Sequence, residues 1–216
     1  MKPDFPTRSA LVVSALRYRD ESVLGYLLRL GELNGYSSLR IIKKLISDYT
    51  NTPLFIRPSI VSKSEVVAAI AKLANIDEGE LMQSKWKTIN SAAGRYFNVQ
   101  GTSLPLDALM EERAQICPKC LEEHGYLREA WDLSGVTVCA LHKIALIDIC
   151  PDCKKPLSHA RTPMTLCSHC KRDLRYIPTE QVSDQEVTLS EYFSALAPYR
   201  IKIADDGLSR SQWTQG

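Results

Sequence analysis

Apolar residues recur at helical spacing through the first third of the chain. Val23, Leu27, Leu30 and Leu33 fall three or four apart, which predicts a helix opening at Glu21-Ser22-Val23, capped by Asp20, and running to about Asn34. Gly35 is placed to end it in a left-handed conformation. A second helix is expected from Ser37 or Ser38, with Ile41, Ile42, Leu45, Ile46 and Tyr49 turned inward. Arg40, Lys43 and Lys44 share its other side, at i, i+3 and i+4. Ahead of these helices, Ala10 to Leu16 reads as a short apolar strand.

After a proline-containing loop over 50–58, Ser62-Lys63-Ser64-Glu65 has the spacing of a capping box. Val66, Ile70, Leu73 and Ala74 continue that helix to Asn75. Asp77 to Glu80 then opens a fourth helix carrying Leu81, Met82 and Trp86. The pair over 64–86 has the outline of a helix-turn-helix, with Asn75 at a position that tolerates positive φ. Its second helix starts acidic, which suits the helix dipole and repels phosphate. Residues 91–109 read as a helix end followed by a linker.

From 111 to 178 the helical period disappears and cysteines take over. The chain reads Cys117-Pro-Lys-Cys120, then Cys139-Ala-Leu-His142, Cys150-Pro-Asp-Cys153 and Cys167-Ser-His-Cys170, which uses all seven cysteines of the protein. With His142 these make eight donors, or two sets of four. A knuckle with two intervening residues places two ligands on one tight turn, and two knuckles complete a tetrahedral zinc shell. Sequential pairing predicts one site from Cys117, Cys120, Cys139 and His142, and another from Cys150, Cys153, Cys167 and Cys170. An interleaved arrangement would join first to third and second to fourth.

Other uses of the cysteines fit less well. Seven cysteines would strand one thiol in a disulfide framework. A redox pair would stand alone at a strand-to-helix turn. A catalytic zinc would keep an open position, whereas both sets here are complete, so two structural Zn2+ ions are expected. Within this stretch, Tyr126 to Leu133 and Val136 to Cys139 flank Ser134-Gly135 as a hairpin, and Leu146 to Ile149 is a further short strand. Lys154, Lys155, Arg161, Lys171, Arg172 and Arg175 give the second ribbon a basic side.

The fold expected is therefore α+β: an N-terminal helical, helix-turn-helix-like domain over 1–110, two tandem zinc ribbons over 111–149 and 150–178, and a C-terminal helix and tail over 179–216. Glu186 to Leu196 would form that last helix through Val187, Leu189, Tyr192, Phe193 and Leu196. The 216 residues, 44% hydrophobic and 24% charged, are ordinary for a globular protein, and a formal net charge of +2 does not by itself argue for nucleic acid. No apolar run reaches bilayer length and none forms a signal-peptide core, so a cytoplasmic protein with no membrane partner is expected. No phosphate loop or nucleophile motif suggests an enzyme.

Three stretches carry a resemblance. Glu21 to Gly35 (E-S-V-L-G-Y-L-L-R-L-G-E-L-N-G) resembles the opening helix of TniQ-family transposition proteins. Cys117 to Leu133, with Tyr126, Arg128 and Trp131, followed by Val138 to His142 and Leu146 to Cys153, is similar to that family's zinc region. The resemblance implies a bacterial target-selection adaptor that links a target-recognising component to an AAA+ ATPase. Only a short tail follows the second ribbon, which implies the short type of CRISPR-associated transposons. Its partners would then be an RNA-guided effector complex with guide RNA and target DNA, besides the ATPase. Contacts to nucleic acid or to a protein partner would fall on Arg40, Lys43, Lys44, Lys154, Lys155, Lys171, Arg172 and Arg175, with any binding to DNA or RNA weak. The competing reading is a sequence-specific, zinc-containing DNA-binding transcriptional regulator.

Overall fold

The computed structural model describes residues 11–59, 63–82, 87–91, 94–99 and 102–196. Helix α1 (Val23–Leu33) is the centre of the molecule and is buried nearly all round, with Leu24, Tyr26, Leu27, Leu28 and Leu30 all inside. A helix with apolar residues on most of its circumference must be enclosed, and α1 shares one core with α2 (Arg40–Thr50), α3 (Ser64–Ala74) and the 126–132 segment. Gly25 makes the last contact possible: a Cβ there would sit 2.9 Å from the Leu127 Cβ. The helix ends as its sequence requires, with Gly35 at φ 71°.

Several expectations about these helices are corrected. Asp20 does not cap α1; Ser22 is the N-cap residue and makes no side-chain cap, while Asp20 accepts hydrogen bonds from Tyr126 and Arg128. Leu33 is half exposed, because the core closes over Leu30 one turn earlier. On α2 Ile42 and Ile46 are buried and Leu45 and Tyr49 pack against the core as expected, but Ile41 faces out. The 11–17 segment forms no strand with another among the described residues. The side-chain amide of Asn34 takes the place of a neighbouring backbone, accepting from Val13 N at 2.9 Å and donating to Val13 O at 2.8 Å.

Helix α3 buries Val66, Val67, Ile70 and Leu73, then turns through Asn75 in a left-handed conformation at φ 54°. The expected capping box needs Ser62, which lies outside the described residues; the N-cap residue is Lys63. Helix α4 is short, Glu78–Met82, and Trp86 also lies outside the described residues.

Where a linker was expected, an antiparallel meander forms from β1 (Lys87–Ser91), β2 (Gly94–Val99) and β3 (Thr102–Pro105). Ile89 pairs with Tyr96, and Phe97 with Leu104. Phe97 is its fully buried anchor.

The cysteine-rich half starts at α5 (Pro118–Glu123). The expected hairpin over 126–139 is replaced. Glu129–Asp132 forms a turn of 3-10 helix, and the pairing is instead between β4 (Val138–Cys139) and β5 (Ile144–Ala145). Leu146–Ile149 is not a strand; Ile147 bridges Ile116 and Ile149 bridges Pro156 singly.

Helix α6 (Asp184–Ser194) folds back onto this hairpin. Ser190 Oγ meets Val138 N at 3.0 Å, Phe193 lies over Gly135, and Gln181 bridges Ile144. Its buried positions are Val187 and Ser190, while Leu189 and Tyr192 point outward. One hydrophobic core runs from α1, α2 and α3 through Ile116, Leu121, Trp131, Val136 and Ile144 to Leu174.

Candidate metal centres

Cys117 is the N-cap residue of α5, and its sulfur accepts a hydrogen bond from Cys120 N at 3.4 Å. Pro118 follows at the first helical position, where a missing N–H costs nothing. The short helix thus turns both sulfurs to one side. The opposing pair comes from the turn joining β4 to β5, where Cys139 O accepts from His142 N at 3.3 Å and from Lys143 N at 2.8 Å. Two backbone hydrogen bonds between Ile116 and Ile147, at 3.0 and 2.9 Å, hold the two knuckles face to face.

The second cluster repeats one device twice. Cys150 N donates to Lys155 O and Lys154 N to Cys150 O, both at 2.9 Å. Cys167 N donates to Arg172 O at 2.9 Å, and Lys171 N to Cys167 O at 3.1 Å. In three of the four knuckles the residue after the second donor is a lysine at positive φ: Lys143, Lys154 and Lys171.

The structure brings Cys117, Cys120, Cys139 and His142 together, and separately Cys150, Cys153, Cys167 and Cys170, with donor atoms of each set within 4.8 Å of one another. This is the sequential arrangement rather than the interleaved one. His142 Nδ1 lies 3.3, 3.4 and 3.5 Å from the sulfurs of Cys117, Cys120 and Cys139, and Cys120 Sγ is 3.6 Å from Cys139 Sγ. In the second set Cys150 and Cys170 are 3.6 Å apart, and Cys153 and Cys167 3.8 Å. Bonds of about 2.3 Å to sulfur and about 2.0–2.1 Å to nitrogen around a tetrahedral ion give edges of about 3.8 Å between sulfurs and about 3.5 Å between sulfur and nitrogen, within a few tenths of an ångström of these distances. Both clusters fit, and their donor sets are consistent with zinc. Hydrogen bonding with Cys117, and then with each other, pushes the Cys120 thiol up and the Cys139 thiol down.

The two sites differ in cover. All three sulfurs of the first are buried; in the second, Cys170 is exposed and Cys153 half-buried. The first also has a feature that the ligand spacing did not reveal, Glu123 at 2.9 Å from His142 Nε2. Its only sequence signal was a carboxylate three residues after Cys120.

The basic residues singled out from sequence separate into two groups. Arg40, Lys43 and Lys44 lie on α2, with Lys44 exposed and paired to Asp48 at 2.7 Å. Beside them, and unnoticed in the sequence, Phe55 is half exposed between Lys43 and Arg57, whose cationic groups lie 5.7 and 5.1 Å from its ring centre. Lys154, Lys155, Lys171 and Arg172 are exposed around the second cluster. Arg175 is held by Asp173 through two hydrogen bonds of 3.0 and 2.7 Å. Arg161 is no part of that surface. It is buried and donates to Met164 O and Ser158 O, each at 2.9 Å, which ties off the loop between the knuckles. An open cleft separates Glu32, Tyr36 and Ser37 from Thr162, Pro163, Leu166 and Lys171.

These observations define a helical protein braced by two complete four-donor metal-type sites. The TniQ family model matches residues 15–146, more than half of the chain, and the protein belongs to the TniQ family. That makes it a transposition-associated protein of a non-catalytic accessory family. The matched region takes in the first cluster and stops short of the second. A search of curated proteins finds no match. Among the described residues, no helix is long and apolar enough to cross a membrane.

Proposed function

We propose that this protein is a non-enzymatic adaptor for transposon target-site selection in the bacterial cytoplasm. It joins a target-recognising, RNA-guided complex on DNA to the AAA+ regulator of transposition. Its helix-turn-helix-like part and two tandem zinc ribbons serve as a rigid body presenting separate surfaces to the two partners. The observation that carries this reading is that both clusters are closed by four protein donors, which leaves no position for a substrate or an activated water. Family membership supplies the transposition context.

The surface supports protein contacts over autonomous DNA reading. A duplex reader carries a strongly basic face, whereas α4 opens with Glu78 directly after Asp77 and the net charge is +2. The test combines co-sedimentation with the AAA+ ATPase and gel shifts on random duplex DNA at physiological salt. Binding to the ATPase with weak DNA binding alone, tightened by the ATPase or a guide complex, is expected. Sub-micromolar binding of free duplex without a partner would overturn the adaptor reading in favour of a DNA-binding transcriptional regulator.

A further inference from the structure

We propose that Glu123 is the positioning residue of the first metal site, fixing which nitrogen of His142 faces the ion and how the ring is turned. The proposal rests on the reading that this cluster holds a metal. Nδ1 of His142 faces the three sulfurs at 3.3, 3.4 and 3.5 Å, so it is the nitrogen placed to coordinate. A neutral imidazole has one N–H, which then belongs to Nε2. Nε2 has Glu123 Oε2 at 2.9 Å, a charge-assisted acceptor that favours this tautomer and makes Nδ1 a stronger donor.

The local sequence explains how one short helix does both jobs. Cys120 and Glu123 are three residues apart on α5 and share a face, so the helix delivers a sulfur to the cluster and a carboxylate to the far side of the imidazole. The nearest competitor for that carboxylate is His124, whose Nε2 is 3.7 Å away, beyond hydrogen-bonding range. The second cluster has four sulfurs and no imidazole, so it contains no ring for a carboxylate to orient. It serves as an internal control.

The experiment is a Co2+ titration of the full chain, because a site of three sulfurs and one nitrogen differs in visible absorption from a site of four sulfurs. Glu123→Ala is expected to weaken the mixed sulfur–nitrogen site by roughly 10–100-fold and leave the all-sulfur site unchanged. Glu123→Gln, which keeps an acceptor at the same reach, should restore most of the loss. In the Zn2+ form, the wild-type His142 ring should show its proton on Nε2, and Glu123→Ala should lose that protection from exchange. An unaltered affinity of the mixed site in Glu123→Ala overturns the proposal, and so does an equal loss at both sites, which would mean general destabilisation. Failure of the wild type to take up two Co2+ ions would overturn the metal reading itself and this proposal with it.

Discussion

Arg29 clamps Glu21 at two points, from Nε to Oε1 at 2.8 Å and from Nη2 to Oε2 at 2.6 Å, and the Glu21 side chain is completely buried. The pair ties α1 to the segment before it, since Arg29 Nη2 also donates to Leu16 O at 2.8 Å and Tyr18 N donates to Glu21 Oε2 at 3.1 Å. Burial pushes the Glu21 carboxyl up and Arg29 opposes it. Removing one partner of a buried pair strands the other charge, so Arg29→Ala should cost about 3–5 kcal/mol. For a chain of this size that is roughly a 6–20 °C fall in Tm. Arg29→Lys should recover little, because an ammonium cannot reproduce the two-point fork. A double mutant with Glu21→Gln should lose less than the two single losses added, which a thermal-denaturation cycle would reveal.

Trp131 joins the cysteine-rich half to the helical core. It is buried, and its carbonyl accepts from Gln115 Nε2 at 3.1 Å. The family-like spacing of Tyr126, Arg128 and Trp131 has a physical basis here: Tyr126 and Arg128 both bind Asp20 on the helical side while Trp131 fills the space beneath. Trp131→Ala should therefore cost about 3–5 kcal/mol, as deletion of a large core aromatic does. Unchanged denaturant stability would remove Trp131 from this role.

Legibility followed how much each element buries and how locally it is specified. Helices α1 and α3 were readable because long apolar runs at helical spacing supply the core itself. Asn75 and Gly35 were readable because few residues tolerate positive φ. Both clusters were readable because metal geometry restricts ligand spacing more tightly than packing restricts side chains. The β1–β3 meander was not, because it rests on one buried anchor, Phe97, and leaves Arg95 and Ser103 exposed, so no alternating pattern is written over it. The β4–β5 hairpin was missed because its register is set by the Cys139–His142 knuckle rather than by Gly135. On α6 the apolar residues divide between two faces: Val187 is buried and Phe193 and Leu196 pack against the core, but Leu189 and Tyr192 face out, and a serine, Ser190, takes a buried position to satisfy Val138 N.

Two metal equivalents per chain are expected by elemental analysis of protein isolated without chelator, and one or none would sink the two-site assignment. The order of loss should follow cover. A chelator should strip the Cys150–Cys170 cluster first, because Cys170 is exposed, and the three buried sulfurs of the other cluster should lose theirs later. Structural zinc contributes roughly 10–16 kcal/mol of apparent binding energy in small modules, so Cys150→Ser should unfold residues 150–178. The helices should keep most of their circular dichroism, since α1, α2 and α3 bury one another.

His159 should make the fold acid-sensitive below neutral pH. It is buried, with Nε2 2.5 Å from Met110 O, and burial lowers its pKa from 6.5 to about 4, helped by the nearby Arg161 guanidinium. Between those values the unfolded chain carries a proton that the folded chain excludes, so stability rises with pH across this window. It is fully present above pH 6.5 and is lost as pH falls towards 4. At about 1.4 kcal/mol per pH unit, the swing is about 3 kcal/mol. Glu129, buried with no hydrogen-bond partner for either oxygen among the described residues, works in the opposite sense. Its raised pKa means that stability falls as pH rises above the ordinary carboxyl value. That contribution, and the loss of metal as ligands protonate, are common to wild type and a His159→Gln variant that keeps a donor to Met110 O. Subtracting the two unfolding curves from about pH 7 to about pH 4 should therefore leave a difference of about 3 kcal/mol that grows as the pH falls. Parallel curves would show that His159 takes up its proton in the folded protein as readily as in the unfolded chain.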